Sequence, residues 1–435
     1  MLGRRLFSSL RPQHPKDLPT SGTYPLGFKV ASVNVGLKKK ADALDMALVV
    51  SETKASVGAV FTKNAFAAAP VTVAREIVSA NAGVAAVLVN AGCANACTGD
   101  VGLRDTRAAI AATDQALGFA APTPATIMLS TGVIGVPLKM DKIHNGIGTL
   151  SKSLSNTHDA WVGVAKAIMT TDTFPKLRSR EFTTRDGQTY RMAGWSKGAG
   201  MIHPNMATML GGVFTDAAIT SSCLKAALSY AVERSFNAIS VDGDTSTNDS
   251  LIVLANGASN CKLIDSTTSP DFLQFQANLT DFAAELAGLV VRDGEGATKF
   301  LDIQVENART FEEGKAVAVS IAKSPLVKTA MFGQDANWGR IVCAVGYSGV
   351  PIEPTKVNLW METQGNISKS KEIVHLFKDG SPFEVFEQAD KDKAKRILAE
   401  EDIVIRVDLG LGIAKAQMYT CDLSFDYVKI NIDYT

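Results

Sequence analysis

A layered α/β (α+β) fold, helix packed on sheet, is predicted for this chain of 435 residues by three observations. Short apolar segments of strand length alternate with longer stretches of helical periodicity. Hydrophobic residues make up 46% of the sequence and charged residues 20%, which supports a large core and excludes global disorder. No apolar run approaches the roughly 20 residues of a membrane helix, and no internal repeat or low-complexity linker divides the chain. The expected architecture is a helix–sheet sandwich followed by a smaller C-terminal α/β domain. The break between them is expected near Glu312–Ser324, with the smaller domain starting at about residue 315.

The strand candidates, in order, are Val57–Phe61, Val84–Val89, Thr126–Leu129, Leu251–Leu254, Phe300–Val305, Arg340–Val345 and Ile403–Leu409. Each is a short apolar run of the kind a buried strand uses. Between them, Asp105–Leu117, His158–Met169, Leu224–Arg234, Phe272–Val291 and Phe383–Ala399 carry helical patterns. The last is preceded by Ser381 and Pro382, a cap and first-turn pair.

Charge and cysteine usage narrow the class. The 44 basic and 44 acidic side chains cancel, so nothing draws the chain generally towards nucleic acid or an anionic membrane, and neither is expected as a partner. Six scattered cysteines do not form a disulfide framework, which fits a reducing compartment. Residues 1–16, MLGRRLFSSLRPQHPK, hold three arginines and two serines with no acid before Asp17. That composition predicts a mitochondrial transit peptide and a matrix location.

Seven islands rich in glycine and small residues sit at expected strand ends. They are Asn90–Asp100, Ser130–Gly135, Thr170–Thr173, Lys197–Leu210, Ser240–Ser250, Arg292–Lys299 and Phe332–Arg340. Glycine allows sharp turns and close backbone approach, so the islands are expected to gather around a site. Familiar chemistries fail there. None of the five histidines pairs with a Cys or His at metal-ligand spacing, and Cys93 and Cys97 have no second pair, so no metal is expected. Asp242, Asp244 and Asp249 do not complete a calcium loop, because Thr247 and Val253 stand where Gly and an acid are needed. No P-loop, dinucleotide fingerprint or G-x-S-x-G elbow occurs. What remains is a protein without catalytic function or an enzyme working without those parts. An N-terminal threonine exposed by peptide cleavage carries its own base, an α-amine of pKa about 8. Ala207–Thr208, within Lys197–Leu210, offers such a bond.

The segment KGAGMIHPNMATML resembles the self-processing segment of the ornithine acetyltransferase family, bifunctional proteins of arginine biosynthesis. NAGCANACTG, STGVIG, IMTTDTFPK, VDGDTSTND, DGEGATK, FGQDANWGR and the C-terminal YVKINIDY match the same family in the same order, from about residue 20 to the end. The nearest resemblance is to fungal-type mitochondrial members. It implies autocleavage between Ala207 and Thr208, giving an α chain (17–207) and a β chain (208–435) that stay together as an α2β2 heterotetramer. It also implies a glutamate N-acetyltransferase that moves acetyl from N2-acetylornithine to glutamate through Thr208. A second use of acetyl-CoA as donor, and no cofactor, belong to the same expectation.

By the same resemblance Thr208 is the nucleophile, and Thr131 and Gly132 form the oxyanion hole. Thr170, Lys197, Thr208, Glu295, Asn431 and Thr435 contact substrate. Lys197 suits a carboxylate and Glu295 an ammonium, the two ends of an amino acid. The chain departs from the family at its end: Thr435 follows Asn431 one residue sooner than the usual hydroxyl residue does. The rival expectations are a related self-processed aminopeptidase or amidohydrolase that uses water as acceptor, and a non-catalytic binding protein of the same fold.

Overall fold

The computed structural model describes residues 16–119, 123–203, 209–364, 368, 371–382 and 388–432. Ala207, Thr208, Thr435 and nearly all of the expected transit peptide lie outside the described residues. The described strands are β1 (Phe28–Val33), β2 (Met46–Phe61), β3 (Val84–Cys93), β4 (Thr126–Val133), β5 (Lys176–Thr183), β6 (Thr189–Lys197), β7 (Leu210–Thr215), β8 (Ile239–Ser240), β9 (Ser250–Ala255), β10 (Phe300–Ala308), β11 (Asn358–Thr363), β12 (Ile373–Lys378), β13 (Ser381–Pro382), β14 (Asp402–Asp408) and β15 (Ala414–Cys421). The helices are α1 (Ala69–Ala80), α2 (Gly99–Ala116), α3 (Met140–Leu150), α4 (His158–Ala167), α5 (Ser221–Glu233), α6 (Pro270–Arg292), α7 (Phe311–Lys323), α8 (Pro325–Phe332), α9 (Trp338–Gly346), α10 (Gln388–Ala399) and α11 (Phe425–Ile432).

Two mixed sheets result. The first runs β4-β3-β2-β9-β7-β6-β5, with β1 added beside the first part of β2. The second runs β13-β12-β11-β14-β10-β15-β8. In β7 and β9 every residue is buried, because both faces of the first sheet are covered. Phe214, Ile252 and Leu254 enter the core shared with α3 and α4, whereas Val213, Leu251 and Val253 enter the core of α5 and α6. Odd and even positions therefore serve different layers.

Helix α6 shows how local sequence builds that second layer. The Ser269 side chain accepts from the Phe272 N–H at 3.1 Å and Pro270 opens the first turn. Phe272, Phe275, Leu279, Phe282 and Leu286 then recur at spacings of three and four and are buried against the sheet. Each contributes roughly 1.5–3 kcal/mol by burial. A charge at Phe282, which is fully buried, would break the layer. The helix ends at Arg292, and this delivers Asp293–Glu295 to the site described below.

Two expectations are corrected. Arg340–Val345 is helix α9, not a strand. Asn337 caps it by accepting from the Arg340 N–H at 3.3 Å, and Ile341, Ala344 and Val345 bury one helical face while Cys343 is exposed. The short apolar run had the composition of a strand and the period of a helix. Ser381 and Pro382 form strand β13, paired with Lys378 and Phe377, rather than a helix's first turn; α10 is described over Gln388–Ala399, and residues 383–387 lie outside the described set. Residues 312–324, the expected break, form most of α7 and its C-terminal cap, and α7 shares a core with β10 and β15.

Candidate active site

Lys197, Leu210, Ser250 and Phe61 stand in one row across β6, β7, β9 and β2. At that end of the sheet lies a cavity of about 310 Å³. Thr131, Gly132, Thr170, Lys197, Glu295 and Asn431 all line it. Met209 lines it as well, one residue beyond the expected nucleophile. Six of the seven islands supply lining residues. Phe332–Arg340 does not; it joins α8 to α9, and its Phe332 packs edge-on against Phe425 at the base of α11, the helix that carries Asn431.

The strands explain why these residues meet. β3 and β4 run parallel and set Ala91 beside Thr131 and Gly92 beside Gly132. Gly132 has φ 128°, and a Cβ there would fall 2.3 Å from the Gly92 carbonyl carbon, so no other residue fits without moving the strand. The buried Asn248 amide donates to the Ala94 and Ser130 carbonyls at 2.6 and 2.9 Å, tying three islands together. Gly200 passes so close to Glu295 that a Cβ would sit 2.5 Å from its carboxylate.

Two polar pairs face the cavity. The Lys197 ammonium donates to Thr131 Oγ1 at 3.1 Å. That leaves the Thr131 proton free to point elsewhere and makes the hydroxyl a better donor. The Asn431 amide donates to Glu295 Oε2 at 2.7 Å and to the Tyr427 carbonyl at 2.9 Å, which fixes the carboxylate against α11. Burial pushes the Lys197 pKa down, and Asp172, Asp249 and Glu295 oppose that shift.

Behind Lys197 lies a buried network that composition did not reveal. Lys176 Nζ is 2.6 Å from Asp172 Oδ1 and 2.5 Å from Asp293 Oδ2, all three side chains being at most 1% exposed. Asp172 also accepts from the Thr170 and Gly198 N–H groups at 2.9 and 2.8 Å. Asp293 accepts from the Thr173 N–H at 3.0 Å. Three site-bearing segments, Thr170–Thr173, Lys197–Gly198 and Asp293–Glu295, therefore share one ion cluster. Burial alone would raise the Asp172 pKa, but Lys176 and Lys197 hold the carboxyl well below its usual range. The available signal was an Asp inside a small-residue island with a Lys four residues on.

Among the described residues no group of three or more His, Cys, Asp or Glu is arranged to hold a metal ion. Chemically, the cavity offers a hydroxyl donor backed by a cation and a hydrogen-bonded carboxylate, with Met209 in its wall. That set suits acyl transfer between small charged molecules.

A model of the ArgJ family matches residues 29–435. The mitochondrial arginine biosynthesis bifunctional protein ArgJ of Yarrowia lipolytica is 50% identical over 437 residues, 99% of this chain and 99% of its own. Its counterpart from Neurospora crassa is 48% identical over 96% of this chain and 90% of its own. Among solved structures, ArgJ from Bacillus halodurans is 36% identical, with a TM-score of 0.45, over 50% of this chain and 95% of that one. The family model spans nearly all of the sequence, and these curated relatives align along almost the full length at about half identity: the chain belongs to the ArgJ family.

Proposed function

We propose that the chain is a glutamate N-acetyltransferase of arginine biosynthesis, moving acetyl from N2-acetylornithine to glutamate. Its curated relatives bear the names of mitochondrial, bifunctional arginine-biosynthesis proteins, which supports both the pathway and a mitochondrial location, here the matrix. The observation that carries the reading is the pairing in one cavity of Lys197 with Thr131 and of Glu295 with Asn431. One pair suits the carboxylate of an amino acid and the other its ammonium.

In this reading the precursor cuts itself between Ala207 and Thr208 into an α chain (17–207) and a β chain (208–435), which remain together as an α2β2 heterotetramer. Thr208 Oγ attacks the acetyl carbonyl, its proton passes to the threonine α-amine, and the oxyanion accepts from the Thr131 O–H and the Gly132 N–H. Collapse releases ornithine and leaves acetyl on Oγ. Glutamate takes the acetyl group in the second half, and the α-amine returns the proton to Oγ. Thr170 and Thr435 complete substrate binding, and no cofactor is required. The second function in the relatives' name fits acetyl-CoA as an alternative donor.

Initial rates test the scheme. A single acetyl carrier requires parallel double-reciprocal lines with acetylornithine and glutamate varied, and one acetyl group on a β-chain peptide beginning at Thr208 after quenching with acetylornithine alone. Intersecting lines with no acetylated Thr208 would mean direct transfer between two bound substrates. Assays with acetyl-CoA replacing acetylornithine decide the second activity.

A further inference from the structure

The cavity holds a third charged-type side chain that the scheme above leaves idle. Asp249, just before β9, lines the cavity and is 1% exposed. Its Oδ2 has no hydrogen-bond partner among the described residues. An unsatisfied buried carboxyl oxygen is costly, so one on a residue that lines a substrate cavity calls for a reason. Its placement is fixed by the sheet: the Ser250 N–H donates to the Met209 carbonyl at 2.8 Å, and the Thr62 N–H donates to the Asp249 carbonyl at 2.9 Å. Asp249 is thus held beside the residue that follows the expected nucleophile.

We propose that Asp249 is a further catalytic residue, the acid that protonates the departing amine of the acetyl donor. The proposal rests on the acetyl-transfer reading above. As the C–N bond breaks, its electron pair stays on nitrogen and the Asp249 O–H bond supplies the proton, so ornithine leaves as a neutral α-amine. The Asp249 carboxylate so formed then takes one proton from the incoming glutamate ammonium. This frees the lone pair that attacks the acetyl carbonyl and restores the acid. Ornithine takes one further proton from solvent, and the new amide returns one, so the cycle balances. Apart from that exchange with solvent, two protons move in each half, and two groups carry them: the α-amine serves Thr208 Oγ, and Asp249 serves the substrate nitrogen.

The surroundings suit that task. Among the described residues, the other charged side chains lining the cavity are Lys197, from β6, and Glu295, from the loop after α6, with Asp172 and Lys176 behind Lys197. Burial pushes the Asp249 carboxyl well above its usual range, against the opposing pull of Ser246 and Lys197, which favours the protonated form that the role requires. Lys197 is close enough to steady the carboxylate once the proton has gone.

The test compares Asp249→Asn with wild type on two acetyl donors. N2-acetylornithine has a leaving group that must be protonated; p-nitrophenyl acetate has one that leaves without a proton. The variant is expected to lose roughly 10²–10⁴-fold in acylation by acetylornithine, and to be slowed far less with the ester. Equal losses on both donors, or no loss on either, overturn the proposal. A variant that fails to self-cleave is still informative. The infrared difference between the two full-length chains at neutral pH must show the stretch of an un-ionised carboxyl in wild type alone, and its absence there overturns the proposal too. If wild type itself transfers no acetyl from acetylornithine, the functional reading fails independently of Asp249.

Discussion

Lys176→Met removes the one ammonium that lies between Asp172 and Asp293. Its Nζ contacts are 2.6 and 2.5 Å and all three side chains are at most 1% exposed, so water cannot replace the lost charge. Removing one partner of a buried ion pair costs about 3–5 kcal/mol. Two carboxylates are left here, which points to the upper half of that range. Asp172 keeps Lys197 and two backbone N–H bonds, which points lower, and about 4 kcal/mol is the expected result at neutral pH. The urea midpoint should fall accordingly with the slope m unchanged. The pH dependence has a definite sign. The depressed Asp172 pKa of wild type contributes stability that is complete above the unfolded value, about 3.9, and is lost as pH falls through the folded one. In the variant that depression is relieved and the carboxylates take up protons on folding. The gap between the two proteins should therefore narrow as pH is lowered. Lys176→Met/Asp293→Asn should recover about 1–3 kcal/mol relative to additivity, because it removes one of the uncompensated charges. An unchanged midpoint for the single variant, or strict additivity in the double one, would refute the view of this cluster as a charge-balanced frame for the site.

Thr208→Ala is expected to purify as one uncut chain, whereas wild type yields a fragment with the amino terminus Thr208-Met209-Leu210-Gly211; a variant still cut at that bond would assign the cut to an outside protease. Thr131→Val should lower kcat by about 10²–10³ once processed protein is compared, while Gly132→Ala should fail at the level of folded yield, because φ 128° and a 2.3 Å approach to Gly92 leave no room. Asn431→Ala removes the donor to Glu295 Oε2 and should raise KM for acetylornithine more than it lowers kcat; an equal fall in kcat and kcat/KM would place Asn431 in transition-state stabilisation instead.

The fold was legible wherever burial is one-sided and the period long. Helix α6 carries five apolar residues at spacings of three and four over a capped start, and its expected span, Phe272–Val291, lies within the observed Pro270–Arg292. Strands buried on both faces were legible when β-branched, as in Val84–Val89 of β3. They were hidden when glycine stood in for side chains: β7 reads LGGVFT, and its Gly211 and Gly212 are spaces filled by Met209, Leu251 and Trp195 and by the strand's own Phe214. Helix α9 was misread because the run IVCAV has no polar residue to reveal the period. Its exposed side is marked by Cys343, which composition counts as apolar.

The site divides along a different line. Small-residue islands were visible because glycine is needed where backbones nearly touch, as at Gly132 against Gly92, or where backbone passes close to a side chain, as at Gly200 against the Glu295 carboxylate. Charged residues within the islands gave no comparable signal, since an Asp in a turn usually makes only local bonds. Asp242 makes one such bond, accepting from the Asp244 N–H at 3.1 Å, but it also accepts from the distant Met201 and Ile202 N–H groups at 2.6 and 2.9 Å. Asp172, Asp249 and Asp293 come from similar islands, yet sequence alone cannot say that they are buried. Only the sheet, by setting Lys197 beside Leu210 and Leu210 beside Ser250, brings segments tens of residues apart into contact. Once they meet, the same residue type takes three electrostatic states. Asp172 is held ionised by two lysines, Asp293 shares Lys176, and Asp249, with one oxygen unpaired among the described residues, is pushed by burial towards its neutral form. The chemistry therefore resides less in which residues the islands contain than in how many cations the fold allows each carboxyl to see.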